Sequence, residues 1–183
     1  MVEHKRGFST KTGKRIIRDY ILKNIPRDNT ILDVGFGSGT YGRLLKNKGY
    51  HNIDGVDIYP EYIGKMGLKR FYRNIYIHDI CNFQFKYYDL IILGDVLEHL
   101  ILEDAQSLLK QFTQKAGHII VSIPFEFPQG PTDNPNEEHL QDKVTPGYME
   151  WFYPCLKLFY ASEMKDVPGK IIGVYTWNGE KND

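Results

Sequence analysis

Apolar positions in residues 14–25 recur at helical spacing: Ile16, Ile17, Tyr20, Ile21 and Ile25 share one face, with charges opposite. Pro26 and the Arg-Asp-Asn that follows end that helix. The period then shortens, and apolar runs of strand length alternate with amphipathic segments. Ile31, Leu32 and Val34 run into a cluster of glycines, and residues 41–48, closed by Gly49, read as a helix. Residues 52–58 give a second strand ending at Asp57, and Pro60 opens a short helix over 60–68. Residues 73–80 give a third strand, ending at Asp79. Residues 87–96 form the most apolar strand, the pattern of a central parallel strand covered on both faces.

Residues 102–116 predict a helix whose stripe is Leu102, Ala105, Leu108, Leu109 and Phe112, and 117–124 predict a fifth strand. A long loop rich in Pro, Asn and acids covers roughly 124–140, a length typical of functional or mobile connections. Thr145-Pro146 reads as a helix cap and first position leading into Gly-Tyr-Met-Glu-Trp-Phe-Tyr. Residues 156–162 and 170–177 are two last strands, joined too closely for a parallel crossover and therefore antiparallel. The expected fold is α/β: a Rossmann-like, doubly wound, mostly parallel seven-stranded sheet with an antiparallel C-terminal hairpin. Residues 1–183 read as a single domain, with a helical N-terminal extension over 1–28 and a loop and helix over 124–154 that the resemblance drawn below makes the acceptor-site segment.

Composition adds little. Lys plus Arg equals Asp plus Glu at 23 each, so no global field points to nucleic acid or a membrane. Residues 1–27 carry eight basic side chains against Glu3 and Asp19, most simply a solvated helix face. Cys81 and Cys155 match no metal-ligand spacing and read as unpaired thiols of a reducing compartment. With no apolar leader and no run near ~18 apolar residues, a cytoplasmic protein with no membrane partner is expected.

Chemistry concentrates in residues 31–42. Gly35, Gly37 and Gly39 permit φ > 0 and lack Cβ, so a ligand can lie directly on the backbone. Successive strands end in Asp33, Asp57, Asp79 and Asp95, which a parallel sheet lines up along its ligand-binding edge. Two cofactors compete for that edge. Gly37-x-Gly39-x-x-Gly42 with Asp57 twenty residues beyond Gly37 fits a dinucleotide fingerprint, so an NAD(P)-dependent oxidoreductase is one reading. A row of carboxylates repels a pyrophosphate and suits the sulfonium and ammonium of S-adenosyl-L-methionine, and that favours the second.

On these segments the chain resembles the class I S-adenosylmethionine-dependent methyltransferases, from about residue 30 to 124. Asp-Val-Gly-Phe-Gly-Ser-Gly resembles the family's glycine motif, which implies the backbone around Gly35 and Gly37 against the methionine part of the cofactor, with Asp33, Phe36 and Gly39 as further cofactor contacts. Gly-Val-Asp-Ile resembles the ribose segment, which implies Asp57 on both hydroxyls with Ile58 beside it. His-Asp-Ile resembles the adenine segment, which implies Asp79 on the exocyclic amine and the Ile80 backbone on the ring. The segment from Tyr88 to Leu100 resembles the fourth-strand motif, which implies the Gly94 carbonyl on the ammonium and Asp95 beside it. Against these, Asp33 and Asp79 also read as turn formers, Asp95 as a helix cap, and Phe36, Tyr41, Tyr148, Trp151 and Phe152 as core.

The resemblance implies in-line methyl displacement, where alignment of the reactants supplies most of the acceleration. His99 and His139 are the candidate catalytic bases, and no metal-ligand cluster is evident in the spacing. The Asn/Asp-Pro-Pro-aromatic motif of base-amino methylation is absent after the fourth strand, where Gly-Asp-Val-Leu-Glu-His stands, and Pro154-Cys155 lies in the wrong part of the chain for cytosine-ring chemistry. A small-molecule or sugar-like acceptor is expected, and nucleic acid is not. A non-catalytic cofactor-binding module is the remaining alternative.

Overall fold

A computed structural model describes residues 10–130 and 135–179. Expectations for residues 1–9, for 131–134 of the long loop and for 180–183 lie outside the described residues. The strands are β1 (Ile31–Val34), β2 (Ile53–Asp57), β3 (Asn74–Ile77), β4 (Tyr88–Gly94), β5 (Ala116–Phe125), β6 (Lys157–Glu163) and β7 (Ile171–Asn178). The helices are α1 (Lys14–Asn24), α2 (Thr40–Lys46), α3 (Glu61–Met66), α4 (Leu102–Lys115) and α5 (Pro146–Phe152).

These strands form one seven-stranded sheet in the order β3-β2-β1-β4-β5-β7-β6. The neighbours from β3 through β5 are parallel. β7 runs antiparallel to β5, and β6 antiparallel to β7, as their short connection requires. The α/β class, the mostly parallel sheet and the closing hairpin are those expected.

The period-2 pattern decides which residue faces which helix. Ile91 and Leu93 of β4 enter one apolar cluster with Leu108, Leu109 and Phe112 of α4. Leu90 and Ile92, between them, enter a second cluster with Ile17 and Ile21 of α1 and Leu45 of α2. Each of these side chains is at most 2% exposed, so β4 is central and covered on both faces. At ~1.5–3 kcal/mol for each large apolar side chain buried, these two clusters dominate the stability of the sheet.

Local differences from the expected boundaries have local causes. α2 ends two residues early, because the chain tightens into a bond from the Lys48 N–H to the Leu45 carbonyl and leaves through Gly49 at φ 87°. The segment after Pro60 splits at Gly67 (φ 59°) into α3 and a 3₁₀ turn, Leu68–Arg70. Residues 97–99 make only a 3₁₀ turn, and α4 starts afresh at Leu102. Thr145 caps α5 as expected, its hydroxyl accepting the Tyr148 N–H at 3.0 Å. Trp151 corrects its assignment to the core: it is 80% exposed, while Tyr148 and Phe152 of the same helix pack inward.

Candidate active site

The ends of four adjacent parallel strands open onto one cavity of about 770 Å³. Gly35, Phe36 and Gly37 line it after β1, Asp57 and Ile58 at the end of β2, Asp79 and Ile80 after β3, and Gly94 and Asp95 after β4. The carboxyl edge of an open parallel sheet is where such folds bind ligands. The size falls within the ~300–1,000 Å³ of small-molecule sites.

The glycine turn divides its labour. Gly35 sits at φ 63°, and a Cβ there would lie 2.6 Å from Cγ2 of the buried Val96, so this glycine is fixed by packing. Gly37 sits at φ 46°, and a Cβ there would meet nothing nearer than the Gly35 carbonyl at 3.9 Å. The backbone at Gly37 is therefore bare toward the cavity it lines. Gly39 does not line the cavity: a Cβ there would press 2.6 Å from Leu68, so it serves the start of α2 against the neighbouring segment. Phe36 turns its ring into the core against Tyr72, centroids 5.5 Å apart, with its residue still on the cavity wall.

Asp57 locks this turn to β2. One carboxylate oxygen accepts the Gly37 N–H at 2.7 Å and the other accepts the Tyr59 N–H at 2.8 Å. Burial raises its pKa, and these backbone donors oppose that rise. A carboxylate has about four lone-pair sites, so both oxygens keep acceptor capacity toward the cavity.

The other aspartates do not stand as an open acidic row. Asp33 is 1% exposed, absent from the cavity wall, and accepts the Tyr72 hydroxyl at 2.6 Å beneath the turn. Burial pushes its pKa up to about 7, against the opposing pull of Tyr72 and Lys14. Its assignment as a cofactor contact is therefore corrected: it is an internal brace. Asp79 lines the cavity and also forms its own turn, accepting the Cys81 N–H at 2.9 Å. Asp95 does not cap the turn that follows, whose capping position is Val96. It instead accepts Ser122 Oγ at 2.8 Å and pairs with the Lys14 ammonium at 3.1 Å. At φ 60° it also holds a backbone conformation costly for a residue with a Cβ, so the surrounding contacts over-determine it. The wall is still net acidic, with Asp57, Asp79, Asp95, Asp104 and Glu137 against Lys14 and Arg43.

His99 lines the cavity, whereas His139 lies behind it in a second, small pocket that His99 also lines. Their rings meet edge to face with centroids 4.8 Å apart. Burial lowers the pKa of each, so both are held neutral near pH 7. Glu98, beside them on the same small pocket and 1% exposed, is a residue that sequence spacing does not single out. Against the expectation of no metal-ligand cluster, Glu98, His99 and His139 each offer a ligand atom within 4.8 Å of the others.

Lys14 was also missed. It closes the cavity from α1, 6% exposed, with its ammonium 4.8 Å over the Tyr41 ring; Asp95 and Tyr41 raise its pKa against the opposing effect of burial. Only its place on the inward side of the helix N-terminus could have signalled this. Both cysteines are free, as expected, and Cys81 lies on the cavity wall, its thiol pushed by burial up to about 11. Among the described residues no helix is long and apolar enough to cross a membrane.

Comparison with known proteins agrees with this fold. Similar folds include magnesium protoporphyrin IX methyltransferase from Synechocystis PCC 6803, solved with bound SAM: TM-score 0.64, 16% identity, covering 90% of this chain and 78% of that one. A S-adenosylmethionine-dependent methyltransferase from Clostridium acetobutylicum gives TM-score 0.66 at 14% identity, covering 91% of each chain. The N-terminal domain of EvdMO1, solved with SAH bound, gives TM-score 0.67 at 12% identity, covering 93% of this chain and 83% of that one. No curated protein matches the chain at a significant level. The family model described as a methyltransferase domain matches residues 10–163, and the chain belongs to that family.

Proposed function

We propose that this protein transfers a methyl group from S-adenosyl-L-methionine to a small-molecule acceptor. The observation that carries the reading is the convergence, in one acidic cavity, of the bare Gly37 backbone, Asp57, the Asp79–Ile80 turn and Gly94. When bound, the cofactor supplies a methyl on a positively charged sulfur, which an acceptor atom takes by in-line displacement. The residues present fit it: Gly35 and Gly37 would hold its methionine part, Asp57 has lone pairs that would accept from both ribose hydroxyls, and the Ile80 backbone with Asp79 would hold adenine. The Gly94 carbonyl and the excess of carboxylates suit its ammonium and sulfonium. The excess survives even though Asp33 is removed from the wall and Asp95 is partly neutralised by Lys14.

The protein's contribution is alignment and exclusion of water, worth several kcal/mol when reactants are held in near-attack geometry. While its Nε2 lone pair is free, neutral His99 on the cavity wall would accept a proton from an acceptor group. Within the 124–154 segment, Asn136, Glu137 and Leu140 are assigned to the acceptor side, because they complete the wall. From α1, Lys14 reaches into the same wall. Thermal-shift measurements test the cofactor: S-adenosylhomocysteine stabilises the protein and NAD does not. Stabilisation by NAD alone would replace this reading with an oxidoreductase. Transfer of labelled methyl across metabolite pools then identifies the acceptor.

A further inference from the structure

We infer that Glu98, His99 and His139 form a binding site for one divalent first-row metal ion of the zinc class, set into the wall of the cavity. Three observations carry this. The first is the buried carboxyl: Glu98 is 1% exposed, and neither of its oxygens has a hydrogen-bond partner. A buried polar group left unpaired is costly and uncommon in folded proteins, so such a group calls for an occupant beside it.

The second is the state of the two imidazoles. His99 Nδ1 lies 3.0 Å from the Glu138 carbonyl, and His139 Nδ1 lies 2.6 Å from the Phe127 carbonyl. A carbonyl only accepts, so each Nδ1 carries the proton and each Nε2 keeps its lone pair. Main-chain carbonyls that orient imidazoles through the far nitrogen are the usual supporting shell of metal-bound histidine.

The third is the space. A pocket of about 20 Å³ touches all three residues and also Asp95, which is room for one ion or one water. Its walls are fastened. The Leu140 and Gln141 N–H groups donate to the Glu98 carbonyl at 2.8 and 3.1 Å, and Gln141 Nε2 donates to the Leu97 carbonyl at 2.7 Å. Tyr153 holds the other end of that amide, its hydroxyl donating to Oε1 at 2.6 Å. The nearby cation, Lys14, is already paired with Asp95. Two imidazoles and one carboxylate are the ligand set of open zinc and iron sites. Bond lengths near 2.0–2.2 Å bring ligand atoms to about 3–3.5 Å apart, so the three, now within 4.8 Å, close by about an ångström. Because His99 and Asp95 face both pockets, the ion borders the cavity. If the methyl-transfer reading holds, this narrows the acceptors to those presenting oxygen.

The test is calorimetric titration of the chelator-treated full chain with ZnCl₂, MnCl₂ and MgCl₂, followed by Co²⁺ absorption spectroscopy. The expected result is one equivalent of Zn²⁺, weaker Mn²⁺, no Mg²⁺, and visible Co²⁺ bands. His139→Ala and Glu98→Gln each lower Zn²⁺ affinity at least 100-fold, while His51→Ala, distant and exposed, changes nothing. Should His139→Ala fail to fold, the near-isosteric Glu98→Gln decides alone. Absence of binding, or equal binding by wild type and Glu98→Gln, overturns the site and leaves a water there. The methyl-transfer reading is judged separately by S-adenosylhomocysteine stabilisation of the same samples, so either can fail without the other.

Discussion

The Asp57 carboxylate holds the Gly37 N–H at 2.7 Å, so the residue proposed to bind ribose also fixes the turn proposed to bind methionine. Binding and folding are thereby coupled through one side chain. Asp57→Ala removes the ribose acceptor and weakens S-adenosylhomocysteine by about 10–100-fold. It also strips the Gly37 and Tyr59 N–H groups of their acceptor, at about 1–3 kcal/mol of stability. Asp57→Asn keeps one acceptor oxygen and loses less of both. Calorimetry and urea unfolding on the two variants check this; unchanged affinity in Asp57→Ala removes Asp57 from the site.

Gly35 and Gly37 should respond differently to the same added methyl. Gly35→Ala meets Val96 at 2.6 Å inside the core and is strained at φ 63°, so a loss of about 2–4 kcal/mol is expected. Gly37→Ala has open space and carries only the left-handed strain of about 1–2 kcal/mol. Its effect should fall on S-adenosylhomocysteine affinity, because the new methyl stands on bare backbone. Unfolding curves and ligand titrations side by side separate packing from binding.

Strand identity, the mostly parallel sheet with its closing hairpin and the cavity-facing glycines were legible because buried parallel strands read as unbroken apolar runs and because glycine clusters mark sharp turns. Gly35 and Gly37 followed from the glycine cluster, Asp57 and Asp79 from strand ends that topology places together, and Gly94 from the resemblance of the fourth-strand segment. What stayed hidden was side-chain direction and long-range pairing. Asp33 looks like its neighbours in sequence, yet the strand period turns it under the sheet edge to Tyr72. Lys14 looked like a solvated charge, because its partner Asp95 lies 81 positions away. Glu98 and His99 sit on a 3₁₀ turn, and His139 is brought to them by a loop stapled through Gln141, so no local spacing announces the cluster. Trp151 shows the converse, an aromatic at core-like spacing that faces water.

The Lys14–Asp95 pair should behave as a buried ion pair. Lys14→Met removes the ammonium that pairs with Asp95 at 3.1 Å, and a loss of about 3–5 kcal/mol is expected. Asp95→Asn leaves an ammonium 8% exposed facing an amide, at similar cost. The double variant should recover part of the loss, with a coupling energy of about 1–3 kcal/mol. Additive losses in a urea double-mutant cycle would show that the two side chains act independently.

Asp33 gives a pH dependence whose sign is fixed by its burial. Its pKa is raised to about 7 in the folded chain, against about 3.9 in an unfolded one. Between those values the native state holds a proton that the unfolded state releases. Its contribution is therefore complete below about pH 4 and disappears as pH rises through 7. From pH 5 to pH 8 the wild type should lose about 3 kcal/mol from this group. Asp33→Asn cannot ionise, and its amide oxygen can still accept the Tyr72 hydroxyl, so that slope should vanish from the variant. Urea unfolding of both proteins at the two pH values isolates the effect, because every other titrating group is shared. Parallel losses in the two proteins would mean that Asp33 stays ionised beneath the turn, paired more strongly than its surroundings show.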